Sequence, residues 1–147
     1  MSEDKFQITI AVFLVLKRGE EILLHKRINT RHENGNYGMV SGHLDGNETV
    51  QGGIAREAKE EAGIVIAPEK LKVIHVMHNK AAPPYGEYLN VFLTTSVWEG
   101  EPKNMEPDRC SDLAWFPVHQ LPQNTISYVR VALQYIDGGI FYSNFGW

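Results

Sequence analysis

With a single cysteine, Cys110, the 147-residue chain cannot form an internal disulfide. Its fold must rest on its core and its hydrogen bonds, and a reducing compartment suits it. Long apolar runs are missing too; none approaches the roughly 18 residues that a membrane helix needs. The opening residues MSEDKFQ are polar and acidic and lack a secretory-signal pattern. Basic charge is also scarce. Fourteen Lys and Arg against 18 Asp and Glu give a net charge of −4. Four glutamates and one arginine of a single stretch account for −3 of it, which leaves −1 for everything else. Such a balance argues against a surface that coats a nucleic-acid polymer. No repeat, low-complexity tract or linker divides the sequence, so residues 1–147 are expected to form one domain, cytoplasmic and without a membrane partner. Hydrophobic residues at 43% and charged ones at 22% suit a soluble globular core.

What is present is concentrated between Gly42 and Ile64, GHLDGNETVQGGIAREAKEEAGI. A helix is expected from about Thr49 to Ala62, with Gly63 ending it and Ile54, Ala55, Ala58 and Ala62 on its apolar side. Glu57, Glu60 and Glu61 stand at i, i+3 and i+4, within about one turn on one face. Three like charges so close repel; a solvated acidic face or a bound cation can relieve them, and a hard ion such as Mg²⁺ prefers carboxylate oxygens. Arg56 offers a fork of donors able to hold a neighbouring carboxylate. Gly52 and Gly53 inside the helix should each cost about 1 kcal/mol relative to alanine, which points to a close approach by backbone of a strand or loop.

Around this stretch, residues 7–17 (QITIAVFLVLK) read as a strand buried on both faces. Residues 21–25 read as a second strand, joined to the first as a hairpin, and Tyr37–Val40 as a short one. Residues 71–79, 87–98 and 112–116 follow as strands. Residues 126–137 carry helical spacing, with Asn124-Thr125 offering the N-cap. The apolar tail Ile140–Trp147 should dock, on its own body or on a neighbouring subunit, so the chain is expected as a monomer or homodimer. His75 and His78, three apart on a strand, point to opposite faces and cannot share an ion there.

The order Gly42, five residues, Glu48, seven residues, then Arg56-Glu57-Ala58-Lys59-Glu60-Glu61-Ala62-Gly63-Ile64 resembles the signature box of the Nudix hydrolases at each fixed position. The resemblance implies an α/β/α sandwich, a mixed β-sheet flanked by helices, whose box helix carries the metal site. It implies Mg²⁺-dependent hydrolysis (Mn²⁺ being the other ion) of the diphosphate linkage in a nucleoside diphosphate joined to a further group. By the same resemblance Glu57, Glu60 and Glu61 ligate the metal, with the Ser41 backbone carbonyl as a further ligand. Arg56 orients the glutamates, and Glu48 supports the loop or reaches a second metal through water. Ser41-Gly42-His43 departs from the family's commonest Pro-Gly-Gly and would set an imidazole beside the phosphates. Arg27, with Lys26 and Arg31, serves either solubility or phosphate neutralisation. Tyr37, Tyr85, Tyr88 and Phe92 are candidates for stacking on a base.

The family usually adds one carboxylate from a later loop. Trp98-Glu99-Gly100-Glu101-Pro102 resembles the start of that loop in the family's antimutator pyrophosphohydrolase, and counting on from the tryptophan places the carboxylate at Glu106, as general base or metal ligand. Pro83 and Pro84 lie too far along for the ADP-ribose pattern and Tyr85 for the dinucleoside-polyphosphate one, while residues 23–27 match the coenzyme A pattern only partly. What is left is a nucleoside triphosphate or modified nucleotide. The other class is a domain that senses nucleotides or binds protein without hydrolysis; such domains often lose box glutamates, and here all are kept.

Overall fold

The computed structural model describes residues 4–147. Its strands are β1 (Thr9–Val15), β2 (Lys17–Arg18), β3 (Glu21–Arg27), β4 (Tyr37–Gly38), β5 (Ser41–His43), β6 (Lys72–Lys80), β7 (Glu87–Thr94), β8 (Cys110–Pro117) and β9 (Tyr142–Phe145). Helix α1 (Val50–Ala62) lies between β5 and β6, and α2 (Ser127–Asp137) between β8 and β9. The strands form two sheets rather than one. A mixed sheet runs β5-β1-β7-β6-β9, with β1–β7 and β6–β9 parallel and the other pairs antiparallel. In the antiparallel second sheet β3 pairs with β2, β4 and β8.

β1 is apolar at consecutive positions because each of its faces meets a different core. Val12 and Leu14 join Leu23, Ile54, Ala58 and Ala62 beneath α1. Ala11, Phe13 and Val15 join Ile22, Leu24, Phe92, Val129 and Leu133 beneath α2. Both sheets therefore lie between the two helices, as the expected sandwich requires. The hairpin expected from residues 7–25 is much shorter than anticipated. Only Lys17↔Ile22 and Arg18↔Glu21 pair within it, because β1 is already taken by β5 and β7 and the chain changes sheets at Leu16.

Helix α1 begins and ends where its sequence signals lie. The Thr49 side chain accepts from Gly52 N–H at 3.0 Å, and Gly63 closes the helix at φ 68°. Helix α2 begins without a side-chain cap. Thr125 instead donates to the Pro122 carbonyl and Asn124 to that of Gly35, so their polar groups tie down the loop. The tail docks on its own body: β9 adds to the edge of β6, Trp147 Nε1 donates to the His78 carbonyl at 3.0 Å, and Lys80 sits over the indole. His75 is buried between the Ile140 carbonyl and the Ser143 hydroxyl, whereas His78 pairs with Glu87. Among the described residues no helix is long and apolar enough to cross a membrane.

The close approach expected at the paired glycines occurs at Gly53, but side chains make it, not backbone. A Cβ there would stand 2.6 Å from Leu44 Cδ1 and 3.1 Å from Glu48 Oε1. Gly52 meets only the capping Thr49 hydroxyl. Gly53→Val should destabilise the protein by about 1–2 kcal/mol, overpacking outweighing the better helix propensity of valine. The expected fall in Tm is about 2–8 °C. An unchanged melting curve would show that Leu44 and Glu48 move aside without cost.

Candidate active site

The box loop and helix are held together by one guanidinium. Arg56 donates to Glu48 through Nη2 at 2.8 Å and Nε at 3.2 Å, to Glu57 through Nη1 at 2.8 Å, and to the His43 carbonyl at 3.4 Å. Asp45 lies 3.3 Å away and Glu60 3.5 Å. Glu48 also accepts from the Asp45 N–H at 2.8 Å. The bonds from Arg56 and Asp45 hold its carboxyl below the usual carboxylate range. Glu48 thus closes the loop onto the helix and does not line the adjacent cleft.

That cleft, about 610 Å³ in volume, opens between the two sheets, and Ser41, Gly42, His43, Glu57, Glu61, Glu106, Arg27 and Arg109 contribute to its walls. Of the three box glutamates on α1, Glu57 and Glu61 face it together. Glu60 lies further round the helix, its side chain 53% exposed, and its negative charge still acts on Glu106. Burial, the hydrogen bond to Glu57 and the negative charge of Glu57 push the Glu61 carboxyl well above its ordinary range, opposed by the Ser41 N–H, which donates to it at 3.3 Å. Burial raises Glu106 as well; Arg109 opposes this, while Glu57, Asp108 and Glu60 add to it. Gly42 is fixed by the same crowding, since any Cβ on it would fall on the Glu57 carboxyl group.

Carboxylate oxygens facing one another beside a glycine backbone make a hard-oxygen donor set, the kind that suits Mg²⁺ or Mn²⁺. As they stand, no three Asp, Glu, His or Cys side chains among the described residues converge closely enough to close round an ion. Water, a backbone carbonyl such as that of Ser41, and substrate phosphate are the remaining donors such ions accept.

Among the later acids, only Glu106 reaches the cleft. Glu101 pairs with Arg18, Glu87 with His78, and Asp112 accepts from the Tyr37 hydroxyl at 2.5 Å. Tyr37 therefore lies outside the cleft, its ring packed on Phe116, because the second sheet turns that position toward β8. Phe92 is fully buried, stacked on Phe13. Tyr85 and Tyr88 do line the cleft, and so do Arg27, whose Nε donates to the His32 carbonyl, and His43, packed on Tyr88. Sequence reasoning missed His25, Asn79, Asn90, Arg109 and Tyr128. For Asn90 a signal existed: it is a polar residue inside the apolar run 89–93 of β7.

Comparison with known proteins agrees with this geometry. The NUDIX domain family matches residues 5–134. The NAD-capped RNA hydrolase NudC of Erwinia tasmaniensis is 30% identical over 79% of this chain, and the chain spans 41% of that protein's length. The ADP-ribose pyrophosphatase of Methanocaldococcus jannaschii is 25% identical over 86% of this chain and 72% of its own length. Among solved structures, a MutT NUDIX hydrolase from Burkholderia pseudomallei superposes with a TM-score of 0.80 at 29% identity, covering 88% of this chain and 98% of that one. With the box residues, the sandwich and a match over most of its length, the chain belongs to the NUDIX domain family.

Proposed function

We propose that the protein hydrolyses the diphosphate linkage of a nucleoside diphosphate joined to a further group, in a reaction dependent on Mg²⁺ or Mn²⁺. The observation that carries this reading is the gathering of Glu57, Glu61 and Glu106 in one cleft with Arg27 and Arg109. Acid and base are thereby set around a space of the size small ligands occupy. Glu57, Glu60 and Glu61, with the Ser41 carbonyl, are the residues that would hold the ion, Glu60 turning inward to join them. When bound, such an ion neutralises phosphate charge and acidifies a coordinated water.

Arg56 keeps Glu57 and the loop in place, and Arg27 with His43 meets the phosphates. Glu106 takes the proton from the attacking water. The water oxygen forms a new bond to phosphorus, and the bridging oxygen departs with the electron pair of the bond that breaks. A small nucleotide rather than a polymer is the proposed substrate, a nucleoside triphosphate or modified nucleotide first. Relatives named for NAD-capped RNA and ADP-ribose bring NAD and ADP-ribose into the same test. Phosphate or pyrophosphate release with Mg²⁺ across these compounds, with both products identified, tests the reading; release from none of them favours a nucleotide-sensing domain.

Glu61→Gln removes one charged donor and should cost several kcal/mol of transition-state stabilisation, a loss of more than about a hundredfold in kcat. The metal-free variant should melt no lower than the parent, because a neutral amide replaces a carboxyl whose charged form is already disfavoured by burial and by Glu57. A near-parental kcat would remove the assigned role.

Glu106→Gln should lower kcat by about 10²–10⁴-fold with little change in KM, whereas Glu101→Gln, on the far ion pair with Arg18, should be nearly silent. Retention of more than about half the parental kcat by Glu106→Gln would place the base elsewhere.

A further inference from the structure

Two buried polar atoms have no hydrogen-bond partner among the described residues: Asn90 Nδ2 and His25 Nε2. Asn90 is 2% exposed and His25 8%, and both residues line the cleft that holds Glu57 and Glu61. A buried donor or acceptor without a partner is costly, and an apolar side chain of the same shape would remove that cost. Asn90 is not needed for the sheet, since β7 is paired through its backbone on both sides, to Ala11 of β1 and Met77 of β6. Ala11, Phe13, Met77 and Phe92 on the same face are apolar, while Asn79 and Tyr88, the next pair along, line the cleft with it. Packing therefore does not account for an amide at this position.

The register also locates Asn90 relative to the box. His43, Ala11 and Asn90 form one row across β5, β1 and β7. Two strand spacings set Asn90 about 10 Å from His43, the residue after the glycine that faces Glu57. Ala11, the smallest side chain in β1, leaves the space between them open.

His25 faces the cleft from the other sheet. Burial, and then the charge of Arg27, lower its pKa to about 4, with a hydrogen bond to the Met39 backbone opposing them. The imidazole is therefore neutral, with one ring nitrogen donating and the other accepting. A neutral imidazole can present its lone pair at Nε2, the ring nitrogen that has no partner in the protein.

We propose that Asn90 and His25 select the heterocycle at one end of the diphosphate substrate, Asn90 donating to a carbonyl oxygen and His25 accepting from an adjacent N–H, so that the substrate carries an uncharged amide-type edge. An oxo-nucleobase (guanine, hypoxanthine, uracil) and a primary carboxamide such as that of nicotinamide both present this chemistry; adenine and cytosine present an amino group instead. The inference deepens the proposed function and rests on the cleft being the substrate site.

The test uses the full chain, with Ca²⁺ in place of Mg²⁺ for calorimetric binding and Mg²⁺ for turnover. GTP, ITP and UTP are compared with ATP and CTP, and NAD with its nicotinic-acid counterpart. The parent should bind at least one amide-edged member about 10–100-fold more tightly than its partner compound, and the pair that shows it identifies nucleobase or carboxamide as the source. Asn90→Leu and His25→Leu should each reduce that preference about tenfold or more, chiefly through KM. Asn90→Leu should also raise Tm, which a purely structural asparagine would not do. Equal binding of both kinds of compound by the parent, or an unchanged preference in both variants, overturns the proposal and leaves the hydrolase reading standing. Preferential binding without product release from any compound supports the selectivity and overturns the hydrolase reading alone.

Discussion

Glu57 and Glu61 face each other one helical turn apart in a place where burial disfavours a second charge, so that they share a hydrogen bond, and much of the site is built around that contact. Arg56 takes one oxygen of Glu57 and both oxygens of Glu48, tying the helix to the loop before it. The Ser41 N–H reaches Glu61 from β5, and β5 can come so close only because Gly42 has no side chain to meet Glu57. Remove the carboxylates, and neither the glycine nor the arginine has a reason to be there. The capping by Thr49 and Gly63 then acts as a ruler, fixing which turn of α1 presents the acids.

Legibility followed the range of the interactions involved. Helix α1 was readable to within a residue because its determinants are local: a capping hydroxyl, a glycine at positive φ and an apolar stripe. The double burial of β1 was readable from consecutive apolar residues. The division into two sheets was not, because the two-residue pairing of Lys17 and Arg18 with β3 looks, in sequence, like the tip of a long hairpin. Thr125 and Asn124 had the chemistry of caps, but their partners at Pro122 and Gly35 were set by the tertiary path of the loop.

The site divides in the same way. Residues in the box were legible as a group, since spacing along one helix converts directly into shared direction. Glu60 lies opposite the buried stripe of Ile54, Ala58 and Ala62 on the same helix, so spacing also accounts for its side chain being 53% exposed. Glu106 was reached only by counting along a loop. Asn90 and His25 lie in different sheets, and nothing in their separation along the chain brings them to one cleft. Their signal was present as a misfit, a buried polar side chain in a strand whose central residues are apolar, and it acquires meaning only once the two sheets are seen to face a common space.

The docking of β9 has a consequence for how the chain is made. β6 pairs on one side with β7, which follows it directly, and on the other with residues 142–145. At about 5–20 residues per second, roughly 3–13 s separate the synthesis of Lys80 from that of Phe145. Throughout that interval β6 carries an open edge, the kind of surface on which strands of different nascent chains pair and aggregate. Gly146, whose backbone lies against the Lys80 carbonyl where no Cβ could fit, and Trp147, bonded to His78, are the residues that seal it. Ribosomes stalled or terminated short of these residues would release a chain with its box complete and its sheet unfinished, a species for chaperones and proteases to clear.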